Sequence, residues 1–140
     1  MDKFKDCLQD ADIVATCLPG TKETYHLFDR EAFLSMKEGA YFINIGRGGA
    51  VDTDALANAL NSGHLKGAAV DVTEPEPLPK DHPLWKAKNL ILTPHVSGGY
   101  HLPETLERIV SISAENLKLF MEGKPLNNIV DLATGYRINK

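Results

Sequence analysis

The sequence predicts an α/β fold, a parallel sheet of about four strands with flanking helices. Three observations carry that expectation. Short apolar runs rich in β-branched residues start near residues 12, 41, 67 and 90, and such runs read as strands. Helical periodicities separate the first three, and strands alternating with helices imply a parallel sheet with right-handed crossovers. The stretch 41–51, YFINIGRGGAV, then feeds a strand into a glycine turn that opens a helix. Open α/β sheets bind ligands just beyond a strand end of this kind.

In chain order, Phe4, Cys7, Leu8 and Ala11 sit at helical spacing and predict an amphipathic helix over 2–10. The run ADIVATCL, 11–18, is the first expected strand, stopped by Pro19 and Gly20. After the loop PGTKETYHLF, Asp29 is placed to cap a helix, with Phe28 and Phe33 as a staple and Gly39 as the exit. The second strand covers 41–45, and 42–45 read as buried on both faces. Asp52 caps the next helix, Val51 and Leu56 can staple it, Leu56, Ala59 and Leu60 form its stripe, and Gly63 closes it.

The third strand is expected at 68–72, with Gly67 ahead of it. In the loop TEPEPLPKDHP, Pro75, Pro77, Pro79 and Pro83 argue against helix, and Leu84 and Trp85 are expected to pin the loop. The fourth strand, 90–93, ends at Pro94. Pro103 and Glu104 suit the first turn of a last helix, 103–121, on which Leu106, Ile109, Val110, Leu117, Phe120 and Met121 recur before Gly123 and Pro125. About eighteen residues at ~1.5 Å each would make a rod of roughly 27 Å. The tail 122–140 shows no clear element.

At 140 residues the chain is expected to form one domain with a real core. A net charge of −4, without a Lys/Arg cluster, argues against a nucleic-acid or anionic-membrane partner. No apolar run reaches the length of a membrane span, and the opening MDKFKDCLQD lacks a signal peptide's apolar stretch. Cys7 and Cys17 form no C-x-x-C pair and read as reduced, partly buried thiols, which suggests a cytoplasmic location.

Parallel strands bring their carboxyl ends to one edge, which then carries Arg47, Asp71, Glu76 and His95. Arg47, between bare glycines, offers a planar fork that fits a carboxylate. An imidazole at His95 can give or take a proton near neutral pH, and a carboxylate on its far nitrogen would fix the tautomer. Singly, each has a structural reading: a solvated loop cation, a strand-end turn former, a loop charge, a packing histidine. Their shared edge favours function. His26, His64, His82 and His101 show no metal-ligand spacing, no G-x-S-x-G elbow occurs, and Cys17 has no activating partner.

The segments INIGRGG, VDVTEPEP and LTPHVSGG, with ADIVATCLPGTKETYHLF before them, resemble the C-terminal part of the D-isomer-specific 2-hydroxyacid dehydrogenases. The resemblance is ordered and runs from about residue 11 to the tail. It implies the second half of a Rossmann-type NAD(P)-binding domain, and an oxidoreductase that moves a hydride between NAD or NADP and a 2-oxo or 2-hydroxy acid. By the same resemblance Arg47 binds the substrate's carboxylate and carbonyl, and His95 is the general acid/base. Glu76 pairs with His95, its neighbour Glu74 being the other candidate. Asp71 contacts the nicotinamide carboxamide, and Leu18, Pro19, Thr24, Ile45, Gly46, Ser97 and Gly98 border the cofactor. Family members dimerise through neighbouring helices, so a homodimer is expected.

One departure stands out, since no G-x-G-x-x-G occurs in the 140 residues and no acidic residue follows at a second strand to hold the ribose. The resemblance thus implies a single partial domain over 1–140, without the glycine-rich half or the N-terminal substrate domain, and a chain inactive by itself. Two rivals remain: a non-catalytic binding or scaffold protein that keeps the fold, and a stand-alone flavodoxin-like domain binding another anion at the 46–49 turn.

Overall fold

The structure, a computed structural model, describes residues 2–99 and 102–138. Met1–His95 and Val96–Lys140 form two compact units. The first contains helix α1 (Asp2–Asp10), strand β1 (Ile13–Thr16), helix α2 (Arg30–Ser35), strand β2 (Tyr41–Asn44), helix α3 (Thr53–Asn61), and strands β3 (Gly67–Val70) and β4 (Leu90–Leu92). The strands form one parallel sheet in the order β1-β2-β3-β4. Thr16 pairs with Asn44, Asn44 with Val70, and Val70 with Leu92, so all four carboxyl ends stand level.

Local chemistry explains the helices. Asp29 accepts from the Ala32 amide at 2.9 Å and caps α2, while Phe28 and Phe33 lie 6.3 Å apart as the staple. Asp52 accepts from the Ala55 amide at 3.0 Å and caps α3, and Gly63 follows its end at φ +82°. Gly39 does not end α2, which stops at Ser35; its φ of +80° serves a turn into β2, where its amide donates to His64 O.

One hydrophobic cluster joins Leu8 of α1, Ala32 and Phe33 of α2 and Leu56, Ala59 and Leu60 of α3 to Phe42, Ala68 and Val70 of the sheet. Phe42 is at its centre, with ring centroids 5.0 Å from Phe28 and 5.1 Å from Phe33. The expectation of a strand buried on both faces is corrected. Phe42 and Asn44 are buried, but Tyr41 and Ile45 are exposed, and Ile13 and Ile91 are 60% and 66% exposed. The reason is the period-two alternation of strands: the core cluster takes one face and leaves Ile13, Ile43, Ala69 and Ile91 on the other.

Other expectations shift for similar reasons. All four strands are shorter than 11–18, 41–45, 68–72 and 90–93, ending at Thr16, Asn44, Val70 and Leu92, where the loops begin. Cys7 and Cys17 are exposed, not partly buried, Cys7 lying off the Phe4–Leu8 face of α1. The proline loop does hold one helical turn, a 3₁₀ segment at Pro83–Lys86, with Pro83 at a first-turn position that needs no donor. Leu84 is fully buried and pins the loop, whereas Trp85 is 54% exposed and only donates its indole N–H to Pro79 O at 2.7 Å.

The second unit contains α4 (Pro103–Met121), with Pro103 and Glu104 in its first turn as expected. None of its apolar residues is buried. The tail is more ordered than its sequence suggests. Asn116 and Asn127 exchange two hydrogen bonds of 2.7 and 3.1 Å, and Val130 bridges Arg137 in antiparallel fashion. No helix among the described residues is long and apolar enough to cross a membrane.

Removing the central ring should therefore cost more than removing a cap. Phe42→Ala is expected to lose ~3–5 kcal/mol and Asp52→Ala about 1 kcal/mol in urea unfolding of the chain. Equal losses would displace Phe42 from the centre of the core.

Candidate active site

The level carboxyl ends place one loop from each strand side by side, at a spacing of about 4.8 Å per strand. After β2, the fully buried Asn44 turns the chain: its Oδ1 accepts from the Gly46 amide at 3.0 Å, and its Nδ2 donates to Arg47 O at 3.2 Å. Arg47 is thereby presented outward, exposed, with Nη1 donating to Gly46 O at 2.9 Å. The glycines beside it are needed for contact. A Cβ on Gly46 would stand 2.7 Å from the Cys17 and Leu18 backbone, and one on Gly48 would stand 1.9 Å from Thr73 O.

After β3, Asp71 is 5% exposed and donates its amide to Asn44 O at 3.0 Å. Thr93, after β4, donates its hydroxyl to Asp71 Oδ1 at 2.5 Å. The same strand end delivers His95, whose amide donates to Asp71 O at 2.9 Å and whose φ is +53°. Non-glycine residues seldom adopt that left-handed conformation, and it is found where structure around it overdetermines it.

The His95 ring meets Glu76, with 2.6 Å from Nδ1 to Oε1, both side chains a little under half exposed. Nδ1 donates to the carboxylate, which leaves Nε2 as the nitrogen that can pass a proton to a ligand. Of the two candidate partners, Glu76 is thus the one beside His95, while Glu74 lies 3.9 Å from His26 Nε2. The dyad opens on a cavity of about 410 Å³ lined by Asp71, Thr73, Leu78, Trp85, Leu92 and Pro94 as well. A few polar and charged side chains among apolar ones are the usual make-up of a small-molecule site.

The other expected residues fall on the neighbouring loops. Thr24 donates its hydroxyl to Pro19 O at 2.6 Å and ties the β1–α2 loop. Leu18 is half-buried beside Gly46, and Ile45 is 54% exposed. Ser97 and Gly98 open the second unit, described by itself, with Gly98 at φ +79°. Among the described residues no three His, Cys, Asp or Glu side chains gather as metal ligands, and His101 lies outside the described residues. Sequence reasoning missed Asn44 and Thr93. The signal for Asn44 was a lone amide inside the apolar run FINI, since a buried amide needs partners.

Residues 1–97 match the family described as D-isomer specific 2-hydroxyacid dehydrogenase, NAD binding domain. Over 117 residues the chain is 45% identical to a glyoxylate reductase of Thermofilum pendens, covering 84% of this chain and 34% of that protein. It is 41% identical to an uncharacterized protein of Corynebacterium melassecola, covering 97% of this chain and 44% of the relative. The fold matches the crystal structure of a D-isomer specific 2-hydroxyacid dehydrogenase from Xanthobacter autotrophicus Py2 in complex with NADPH and MES. That match has a TM-score of 0.84 and 38% identity, over 97% of this chain and 55% of the other. The chain thus spans less than half the length of these curated relatives. With its parallel sheet, its level strand ends and its three ordered motifs, the chain belongs to the D-isomer specific 2-hydroxyacid dehydrogenases by their NAD binding domain.

Proposed function

We propose that the chain supplies the substrate-orienting and proton-transferring part of an oxidoreductase that moves a hydride between NAD(P)H and a small 2-oxo or 2-hydroxy acid. The observation that carries this reading is the 2.6 Å His95–Glu76 pair on the same sheet edge as an outward Arg47. Arg47 forks onto the substrate carboxylate, cancels its charge and turns the carbonyl toward His95. The protonated His95 donates from Nε2 to the carbonyl oxygen as hydride reaches the carbon, so a 2-oxo acid becomes a 2-hydroxy acid. Glu76 accepts from Nδ1 and holds the ring's orientation. In the reverse direction His95 takes the hydroxyl proton.

The residues present fit the nicotinamide end of such a cofactor. Ile45 offers an exposed apolar contact, the buried Gly46 lets the Leu18 backbone pack against it, and Asp71 stands at the same edge. When bound, the cofactor supplies the hydride chemistry. Asp71's negative charge would then favour the oxidised, cationic ring, with Leu18, Pro19, Thr24, Ser97 and Gly98 along the border. The 140 residues contain no G-x-G-x-x-G turn to cradle a pyrophosphate. We therefore read 1–140 as one partial NAD(P)-binding domain with helix 103–121 and tail 122–140. The protein is further proposed to be a cytoplasmic homodimer. Two exposed thiols suit a reducing compartment, and β1 pairs only with β2 among the described strands.

The test is a chimera carrying the N-terminal part of the Thermofilum pendens glyoxylate reductase in front of this chain. NADH or NADPH oxidation with a panel of 2-oxo acids should be robust in the chimera and negligible for the chain alone. A folded chimera without turnover would favour the scaffold reading. In the same chimera Arg47→Lys should lower kcat/KM at least about tenfold, because an ammonium cannot fork onto a carboxylate; an unchanged value would remove Arg47 from the substrate.

Light scattering of the chain at micromolar concentration should give a dimer. Charging the sheet with Ile13→Lys should dissociate it if β1 is the contact; a monomeric wild type would end the dimer reading. Val14 is unsuitable for that test, because it packs on the core face.

A further inference from the structure

The first unit holds a second cluster of titratable groups that the reading above does not use. Glu74 lies in the loop between Asp71 and Glu76, and Thr53 at the start of α3 grips its backbone. The Thr53 hydroxyl donates to Glu74 O at 2.7 Å and accepts from the Glu74 amide at 3.2 Å. The side chain reaches the Arg47 loop instead of His95. A Cβ on Gly49 would meet Glu74 Oε2 at 2.7 Å, with Tyr25 the next neighbour at 3.6 Å.

Two aromatic rings close the other side. Tyr25 stacks on His26 at 4.1 Å between centroids, and His26 Nε2 stands 3.9 Å from Glu74 Oε2. The charge of Glu74, then burial and a hydrogen bond to the same carboxylate, raise the Tyr25 phenol above its ordinary range, with Asp52 adding to the effect. His26 has φ +48° and donates its amide to Gly49 O at 2.8 Å, and Phe28 donates to Ala50 O at 3.0 Å. Three loops therefore meet at one carboxylate: the β1–α2 loop, the Arg47 loop and the loop that carries Glu76.

That carboxylate is not stabilising in any simple way. Among the described residues Glu74 Oε2 is a shielded acceptor without a hydrogen-bond partner, 3.9 Å from His26 Nε2, and an unmatched buried acceptor costs free energy. Such a cost is common at functional sites and seldom found elsewhere.

We infer that Glu74 is a positioning residue for Arg47: its carboxylate is a wedge against Gly49 that sets how far the Arg47 loop stands from the loop bearing Glu76. The inference rests on the assignment of Arg47 to the substrate carboxylate. The wedge is steric, so shape matters more than charge. Gly48 fixes the two loops at one point, by its contact with the Thr73 backbone, and Glu74 fixes them at the next residue. A loop pinned at two successive points holds its arginine in one place, and orientation is where small displacements cost large factors in rate or affinity.

The experiment reads resonances in the full ¹⁵N-labelled chain and, in the chimera above with excess NADH, the binding of oxamate, an unreactive mimic of a 2-oxo acid. Glu74→Ala should shift the Gly48 and Gly49 amide and Arg47 Nε resonances. It should also weaken oxamate binding about five- to tenfold while leaving Tm unchanged or raised. A merely structural role would lower Tm instead. Glu74→Gln, which fills the same space, should stay within about twofold of wild type. Gly49→Ala pushes the flexible carboxylate aside without altering Glu74; it should reproduce the Glu74→Ala loss, and the double variant should be no worse than either. Losses that multiply, or resonances indifferent to Glu74→Ala, overturn the inference. If the wild-type chimera binds oxamate and Arg47→Lys does not weaken it, it is the substrate role of Arg47 that fails. The Gly49 and Arg47 resonances then still decide whether Glu74 sets the loop.

Discussion

The site depends on a backbone crossing. The β2–α3 loop passes over the β3 loop so closely that any side chain at Gly48 would overlap Thr73 O. Only glycine permits that approach. Level strand ends bring the loops to the same edge, but register alone leaves a loop free to sway. The crossing removes that freedom, and the Thr53–Glu74 hydrogen bonds beside it lock the second loop to α3. Arg47 and the loop that carries Glu76, which follow different strands, are thereby held together at one edge of the sheet.

Much of this was legible in the sequence because it rests on local rules. Asp29 and Asp52 announce their helices, and the β-branched runs announce strands whose order follows the chain. The motif residues Arg47, Asp71, Glu76 and His95 follow from strand ends, since a parallel sheet leaves them few other places to go. What stayed hidden depends on contacts distant in sequence. The motif already singled out Glu76 as the partner of His95, but only the fold shows where its neighbour Glu74 goes, against Gly49. Trp85 looked like an anchor, yet Leu84 does the anchoring, because a 3₁₀ turn points neighbouring side chains in different directions. The largely apolar run 42–45 suggested two buried faces, but burial is a property of what lies opposite, which no strand encodes by itself.

The bare sheet face has a thermodynamic consequence. Ile13, Tyr41 and Ile91 remain hydrated while the strands that carry them are fully folded. Unfolding this unit therefore wets less new apolar surface than unfolding a parallel sheet covered on both sides. The heat-capacity increment of unfolding scales with that newly wetted area, so the stability curve of the unit is shallow and broad in temperature. Whatever comes to lie on Ile13, Ile43 and Ile91 adds both height and curvature at about 25 cal/mol for each Å² it dries, so that calorimetry registers the covering of this face as a change in shape of the melting curve as well as a shift in its midpoint.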